Sequence, residues 1–321
     1  MNRRIIILIL IALAATIVIL VVVDLRKNRT DRRPGNPYEL SLDAFTSTDT
    51  ALIRYKEVLD LTLNDSEKRG IAFGMGQIWL VGDNFLQVIS VEGNPLLKKE
   101  LPEPPSCITI YQSDVYIGFG NQIRVYDREG SEKAVWARLG DSTLLTSLAV
   151  KDNLLFAADA GKRRVLRYRT DGTLLGEFDG KRDPDALHGF IVPSPTFDLA
   201  IAPDGELWIV NPGEHALENY TPEGRLRGYW DKPSAGIEGF NGCCGPAQIA
   251  ILPDGSFVTA EKRIVRIKIH RASGEFESMV APTELFKNGS RAPDLAIGER
   301  GEIYALDFDR KMIRVFERKS K

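Results

Sequence analysis

The side chains able to do chemistry recur at matched places in this sequence. Asp159, Asn211, Glu261 and Asp307 each close a short apolar run (LFAAD, LWIVN, FVTAE, IYALD), while Asp198, Gln248 and Asp294 each open one (DLAI, QIAI, DLAI). Oxygen donors of this kind can cage a divalent cation, and the ligand candidates are Asp198, Asn211, His215 and Asp294. The same groups can instead cap backbone N–H groups at turns, which is the ordinary work of Asp and Asn. His188 and His215 add imidazoles that can act as base or ligand or simply sit at the surface, whereas His270 is expected to be structural. The adjacent Cys243 and Cys244 are a poor metal pair, because neighbouring side chains diverge and chelating cysteines are usually spaced C-x-x-C. A disulfide between them would be strained. The alternatives are a buried turn of two small, soft side chains, a metal or redox site, or one thiol working as a nucleophile with the imidazole of His215 or His188.

The elements that must position these residues repeat. Strings of one type begin at Gly70 (GIAF), Cys107 (CITI), Ser147 (SLAV), Asp198 (DLAI), Gln248 (QIAI) and Asp294 (DLAI), spaced by 37, 40, 51, 50 and 46 residues. After each comes a polar turn such as Pro203-Asp204-Gly205, then a second apolar strand. A third strand follows, as in IRVYD at Ile123 and IRVFE at Ile313, and a second glycine turn leads to a fourth. Four short antiparallel strands per repeat of this length predict the blades of an all-β propeller with six blades. The last repeat stops after its third strand. The segment 51–63 is therefore expected to close the ring as the missing fourth strand, giving one domain over 51–321.

The pattern of apolar strand, DG turn, Val-Ala-Asp-like strand and RVxVFD-like strand resembles the NHL-repeat family of six-bladed propellers. It runs from about Ala51 to Phe316, with blades 1 and 2 departing from it: Met75-Gly76 and Gln112-Ser113 replace the usual turn, and Gly82 and Phe119 stand where the other blades have an acid or amide. In up-and-down blades the first and third turns lie on one face; the second turns and the links between blades lie on the other. The longest links, 180–196, 230–247 and 281–293, all belong to that second face, and long loops on a rigid scaffold are where binding groups concentrate. Asp159, His188, Asp198, Asn211, His215, Cys243, Cys244, Gln248, Glu261, Asp294 and Asp307 are expected on it.

Outside the repeats, residues 5–23 form a nineteen-residue run without a charge, flanked by Arg3, Arg4, Arg26 and Lys27. As a helix the run would be roughly 29 Å long, about one hydrocarbon thickness. It lacks a small-residue cleavage site and is expected to be an uncleaved signal anchor behind a short flank, 1–4. A basic juxtamembrane segment and tether, 24–50, follows, and the propeller is placed on the extracytoplasmic side. A formal net charge of −2 supplies no global field for nucleic acid. Three cysteines exclude a disulfide scaffold.

Two functions follow as expectations. The first is a membrane-tethered propeller that binds a protein partner or small-molecule ligand on the long-loop face. The alternative is a metal-dependent enzyme with a divalent cation at the channel mouth. Propellers similar to this one include lactone hydrolases that hold the ion with Glu, Asn and Asp, and amidating lyases that hold a metal through histidines.

Overall fold

The structure, a computed structural model, describes residue 5 and residues 12–23, 48–63, 67–181, 189–242, 245–287 and 291–320. The chain divides into two compact units, residues 1–42 and 43–321. In the first unit, residues 12–23 are helical and every one is exposed. No helix among the described residues is long and apolar enough to cross a membrane. The expected span of 5–23 is described only at residue 5 and over 12–23; residues 6–11 lie outside the described residues, as does most of the tether.

Among its described residues the second unit holds twenty-four strands in six four-stranded antiparallel sheets, the blades of a propeller. Blade 1 contains β2 to β5 (Gly70–Gly74, Gln77–Gly82, Phe85–Ile89, Pro95–Glu100), and blade 2 contains β6 to β9 (Cys107–Tyr111, Asp114–Phe119, Gln122–Tyr126, Glu132–Val135). Blade 3 contains β10 to β13 (Leu145–Lys151, Leu154–Asp159, Arg164–Arg169, Leu174–Phe178), and blade 4 contains β14 to β17 (Leu199–Ile201, Leu207–Asn211, Ala216–Tyr220, Leu226–Asp231). Blade 5 contains β18 to β21 (Gln248–Ile251, Phe257–Ala260, Ile267–His270, Phe276–Ala281). Blade 6 joins β22 to β24 (Asp294–Ile297, Ile303–Asp307, Met312–Arg318) to β1 (Tyr55–Thr62), which pairs with β24 from Tyr55↔Arg318 to Thr62↔Met312. The ring is thus closed by hydrogen bonds between the two ends of the unit, which leaves no open blade edge at the seam.

Burial explains the strand compositions. Second strands are packed on both sides by neighbouring blades and read as unbroken apolar runs; β3, β7 and β11 are each buried along all but their first residue. Outer strands face solvent and turn polar, as in PLLKKE of β5 and EKAV of β9. The core is split into six apolar clusters, one at each blade interface. Trp79 and Ile117 meet between blades 1 and 2, for example, and Val258 and Ile303 between blades 5 and 6. Each such surface is removed from water only because the next blade is there, so the ring is stabilised as a whole.

The departures in blades 1 and 2 have local causes. Their first turns are two-residue hairpins that hold Met75 and Gln112 at φ 55°, a form blade 3 shares with Asp152 at φ 54°, whereas blades 4, 5 and 6 use a longer turn with glycine. At Gly82, a Cβ would come within 2.0 Å of the Glu67 carbonyl oxygen, so the incoming link fills the place an acid would occupy.

Candidate functional site

The six inner strands line a channel of about 270 Å³ on the propeller axis, with Cys107, Ser147, Asp198, Gln248 and Asp294 among its wall residues. Asp198 and Asp294 do the same thing in blades 4 and 6. Asp198 Oδ1 accepts the Leu199 N–H at 2.9 Å and Oδ2 accepts the Ile249 N–H of the next inner strand at 2.7 Å. Asp294 accepts Leu295 and, across the seam, Ile71 of blade 1, both at 2.9 Å. Each carboxylate therefore stitches its own inner strand to the following one. Among the described residues neither carboxylate has a cationic partner. Burial pushes Asp198 up to about 6, against the pull of the Ser147 hydroxyl and the two N–H donors. Burial, together with the Asp198 charge, pushes Asp294 up to about 7. Burial likewise raises the Cys107 thiol to about 12.

The second set of acids is arranged differently. Asp159 accepts the Leu144 N–H of the incoming link at 2.9 Å and the Lys162 N–H of its own turn at 3.1 Å, and Arg164 Nε donates to its other oxygen at 2.9 Å. Asn211 accepts the Ile191 N–H at 2.8 Å and donates to Glu218 at 2.8 Å. Asp307 accepts Asp309 and Arg310 N–H groups at 3.2 and 3.0 Å and faces Arg314 Nε at 3.4 Å. Glu261 accepts the Asn241 N–H at 2.9 Å and receives Arg266 Nε and Lys268 Nζ, each at 2.7 Å. Burial raises Glu261, but Lys268 and Arg266 more than offset it and hold the group below the usual carboxylate value. These four side chains are buried at 4% exposure or less. In blades 3, 4 and 5 each pins the incoming link to the turn after the second strand. In all four blades each meets a polar partner on or beside the third strand.

The link into blade 5 is held most firmly. Arg266 also donates to the Gly236 carbonyl at 2.8 Å, and Lys268 donates to that of Gly239. Burial lowers Lys268 to about 8 although Glu261 opposes it. His270 is fully buried against Trp230 and Phe240, each at 5.2 Å between ring centroids, and burial followed by the Lys268 charge lowers it to about 3. His215 stands in the turn of blade 4 at φ 55°, its Nδ1 3.1 Å from the Gly245 carbonyl oxygen of that link. Cys243, Cys244 and His188 lie outside the described residues.

The structure brings Asp198, Gln248 and Asp294 together around the channel but distributes Asp159, Asn211, Glu261 and Asp307 one to a blade. Among the described residues, no three His, Cys, Asp or Glu side chains converge as a metal site. Asn211 and His215, two of the cation-ligand candidates, each face a backbone carbonyl, that of Gly189 for Asn211 and that of Gly245 for His215. Reading acids alone misses the partners Arg164, Arg266 and Arg314. A signal for them exists: an arginine follows the acid by five residues in blades 3 and 5 and by seven in blade 6.

No protein-family model and no curated protein matches the chain. Solved structures do. A streptogramin B lyase is 15% identical with a TM-score of 0.60, over 84% of this chain and all of that one. A catalytically inactive variant of virginiamycin B lyase from Staphylococcus aureus, with quinupristin, is 19% identical with a TM-score of 0.56, over 79% of this chain and 82% of that one. A structural-genomics protein of unknown function from Bacteroides thetaiotaomicron is 14% identical with a TM-score of 0.59, over 83% of this chain and 76% of that one. At these identities the likeness defines the architecture, a six-bladed β-propeller, and leaves the activity to be argued from the site.

Proposed function

We propose that this is a membrane-tethered propeller whose long-loop face binds a protein partner or a small ligand. The observation that carries the reading is the separation of the two faces. Tyr55 pairs with Arg318, and the Lys319 N–H bonds the Arg54 carbonyl at 2.9 Å, so both ends of the propeller unit leave from the tight-turn face. The described residues of the links 179–198, 232–247 and 282–293 belong to the opposite face. The apolar run 5–23 would hold the domain at a membrane, on the extracytoplasmic side. The repeats are read as NHL-like, a reading supported by the Asp159–Arg164 and Glu261–Arg266 pairs, which join the acid of one part of the pattern to the arginine of the next. The test is a photo-crosslinking residue placed at Ile191 on the long-loop face or at Asp204 on the tight-turn face of the full chain in its native membranes. Adducts from Ile191 alone are expected; adducts from Asp204 alone, or none, overturn the reading.

A second reading is favoured by the lyase structures among the similar folds: a metal-dependent enzyme with its site at the channel mouth. Asp198 and Asp294 would supply charge there, with His215 beside the rim. It predicts a stoichiometric divalent ion in the purified protein that is lost in a His215→Ala variant.

A further inference from the structure

We infer that the long-loop face over blades 3 to 5 is a docking surface for an acidic protein segment carrying aliphatic side chains, with Lys162, Arg163, Lys262 and Arg263 as its cationic contacts. This rests on the binding-face reading above and names the partner's chemistry.

The turns between second and third strands place one residue per blade in the left-handed region: Asp83 (φ 45°), Gly120 (59°), Arg163 (53°), His215 (55°), Arg263 (73°) and Lys311 (53°). Glycine, asparagine and aspartate take that conformation readily; a long basic residue takes it at a cost. In blades 3 and 5 the strained arginine is preceded by a lysine, giving Lys162-Arg163 and Lys262-Arg263. These cations also differ from the ion-paired arginines of the surface. Arg124, Arg138, Arg227 and Arg318 are each ion-paired with a glutamate. Among the described residues, Lys162, Arg163 and Arg263 face no carboxylate, and the Lys262 ammonium bonds only the neutral Ser194 hydroxyl, at 2.6 Å. On the opposite face the first turns of blades 3 to 5 hold Asp152, Asp204 and Asp254, and the third turns of blades 4 and 5 hold Arg225 and Arg271.

Aliphatic side chains accompany the charge. Leu144, 36% exposed, adjoins the blade 3 turn, where its N–H lies 3.0 Å from the position of a Gly161 Cβ. Ile191, 39% exposed, packs beside Gly213 in the blade 4 turn between the two cationic pairs. An anionic chain with aliphatic side chains complements this alternation. Single-stranded nucleic acid would need aromatic platforms, and among the described residues the large exposed apolar side chains on these turns and links are Leu144 and Ile191; the exposed Tyr229 belongs to an outer strand.

The test uses the full chain in detergent and a labelled short peptide of Asp, Glu and Leu, with its Asn/Gln counterpart as control, read by fluorescence anisotropy. The acidic peptide is expected to bind and its counterpart not, with affinity falling as salt rises. Replacing Lys162, Arg163, Lys262 and Arg263 together by Ala is expected to weaken binding by about tenfold or more. The variant that retains Lys262, and with it the Ser194 bond, is expected to fall between. Replacing Arg225 and Arg271 on the opposite face is expected to change nothing. Equal binding by the fourfold variant and the parent, no binding by either, or a short single-stranded RNA displacing the peptide would each overturn the inference. The face reading fails separately. An Ile191 adduct that persists in the fourfold variant keeps the face and removes the cationic contacts, whereas no Ile191 adduct in the parent removes both.

Discussion

Glu261 and Asp294 are both acids in consecutive blades of one propeller, and both accept backbone N–H groups, yet their electrostatics are opposite. Glu261 lies between Arg266 and Lys268, with its carboxylate held in the charged form. Asp294 faces the channel with a second carboxylate, Asp198, as its charged neighbour, and its ionised form is disfavoured. The geometry repeats elsewhere: Asp159 has Arg164 at 2.9 Å, whereas Asp198 has no cationic partner among the described residues. A compensated buried acid is a fixed part of the frame; an uncompensated one still has charge to exchange with protons or a ligand.

The comparison can be broken most forcefully at Glu261. Glu261→Ala leaves two buried cations facing each other and frees the link into blade 5, and is expected to cost about 3–5 kcal/mol in denaturant unfolding. A cost below about 1 kcal/mol would show that the triad is not a latch. Asp159→Ala is expected to cost about 2 kcal/mol, because Arg164 keeps Glu177 as a partner and some contact with water.

The pH dependence separates Glu261 from the channel pair by sign. Glu261 has a folded value below its ordinary 4.5, so its contribution is present above that pH and is lost as acid titrates it. Asp198 and Asp294 have folded values raised from 3.8 to about 6 and about 7, so their contribution is complete below 3.8 and is lost as pH rises through 6 to 7. Their contribution to stability, from denaturant midpoints, should therefore fall from pH 5 to pH 8 by an amount on the order of a few kcal/mol. It is opposed below pH 6.5 by His270, whose lowered value makes stability rise with pH there, so the fall is read as the difference between the parent and the double Asn variant. The Asp198→Asn/Asp294→Asn variant should flatten that fall. A smaller effect follows from Asp198→Asn alone: with its charged neighbour removed, Asp294 should titrate lower. Smallest of all, a chelator should leave the melting temperature where it is, since neither set of acids assembles three metal-binding side chains among the described residues; a fall on chelation would favour the enzyme reading.

The blade count was legible because each repeat restates one apolar opening and one turn, and the burial of second strands on both sides leaves unbroken runs such as IWLV and LFAA. The positions of the acids were legible too, since strand ends fall at matched places. Their roles were not, because role depends on what lies opposite. Glu261 meets Asn241 from a link twenty residues earlier, and Asp294 meets Ile71 from the other end of the ring. The arginine partners left only a spacing, five residues after the acid in blades 3 and 5 and seven in blade 6, which the reading of the acids alone did not use. The glycines tell a similar story. Gly82 breaks the acid pattern because backbone occupies the space, which only the folded link reveals.

The channel carboxylates Asp198 and Asp294 remain exchangeable while Glu261 is locked in its charged form. Carboxyl-carbon NMR titration of the full chain, selectively labelled at Asp and Glu, tests it directly. Midpoints near 7 for Asp294 and near 6 for Asp198, with Glu261 still ionised below 4.5, are the result expected. Asp198 and Asp294 both titrating at the ordinary value of 3.8, or Glu261 protonating above 4.5, would contradict it.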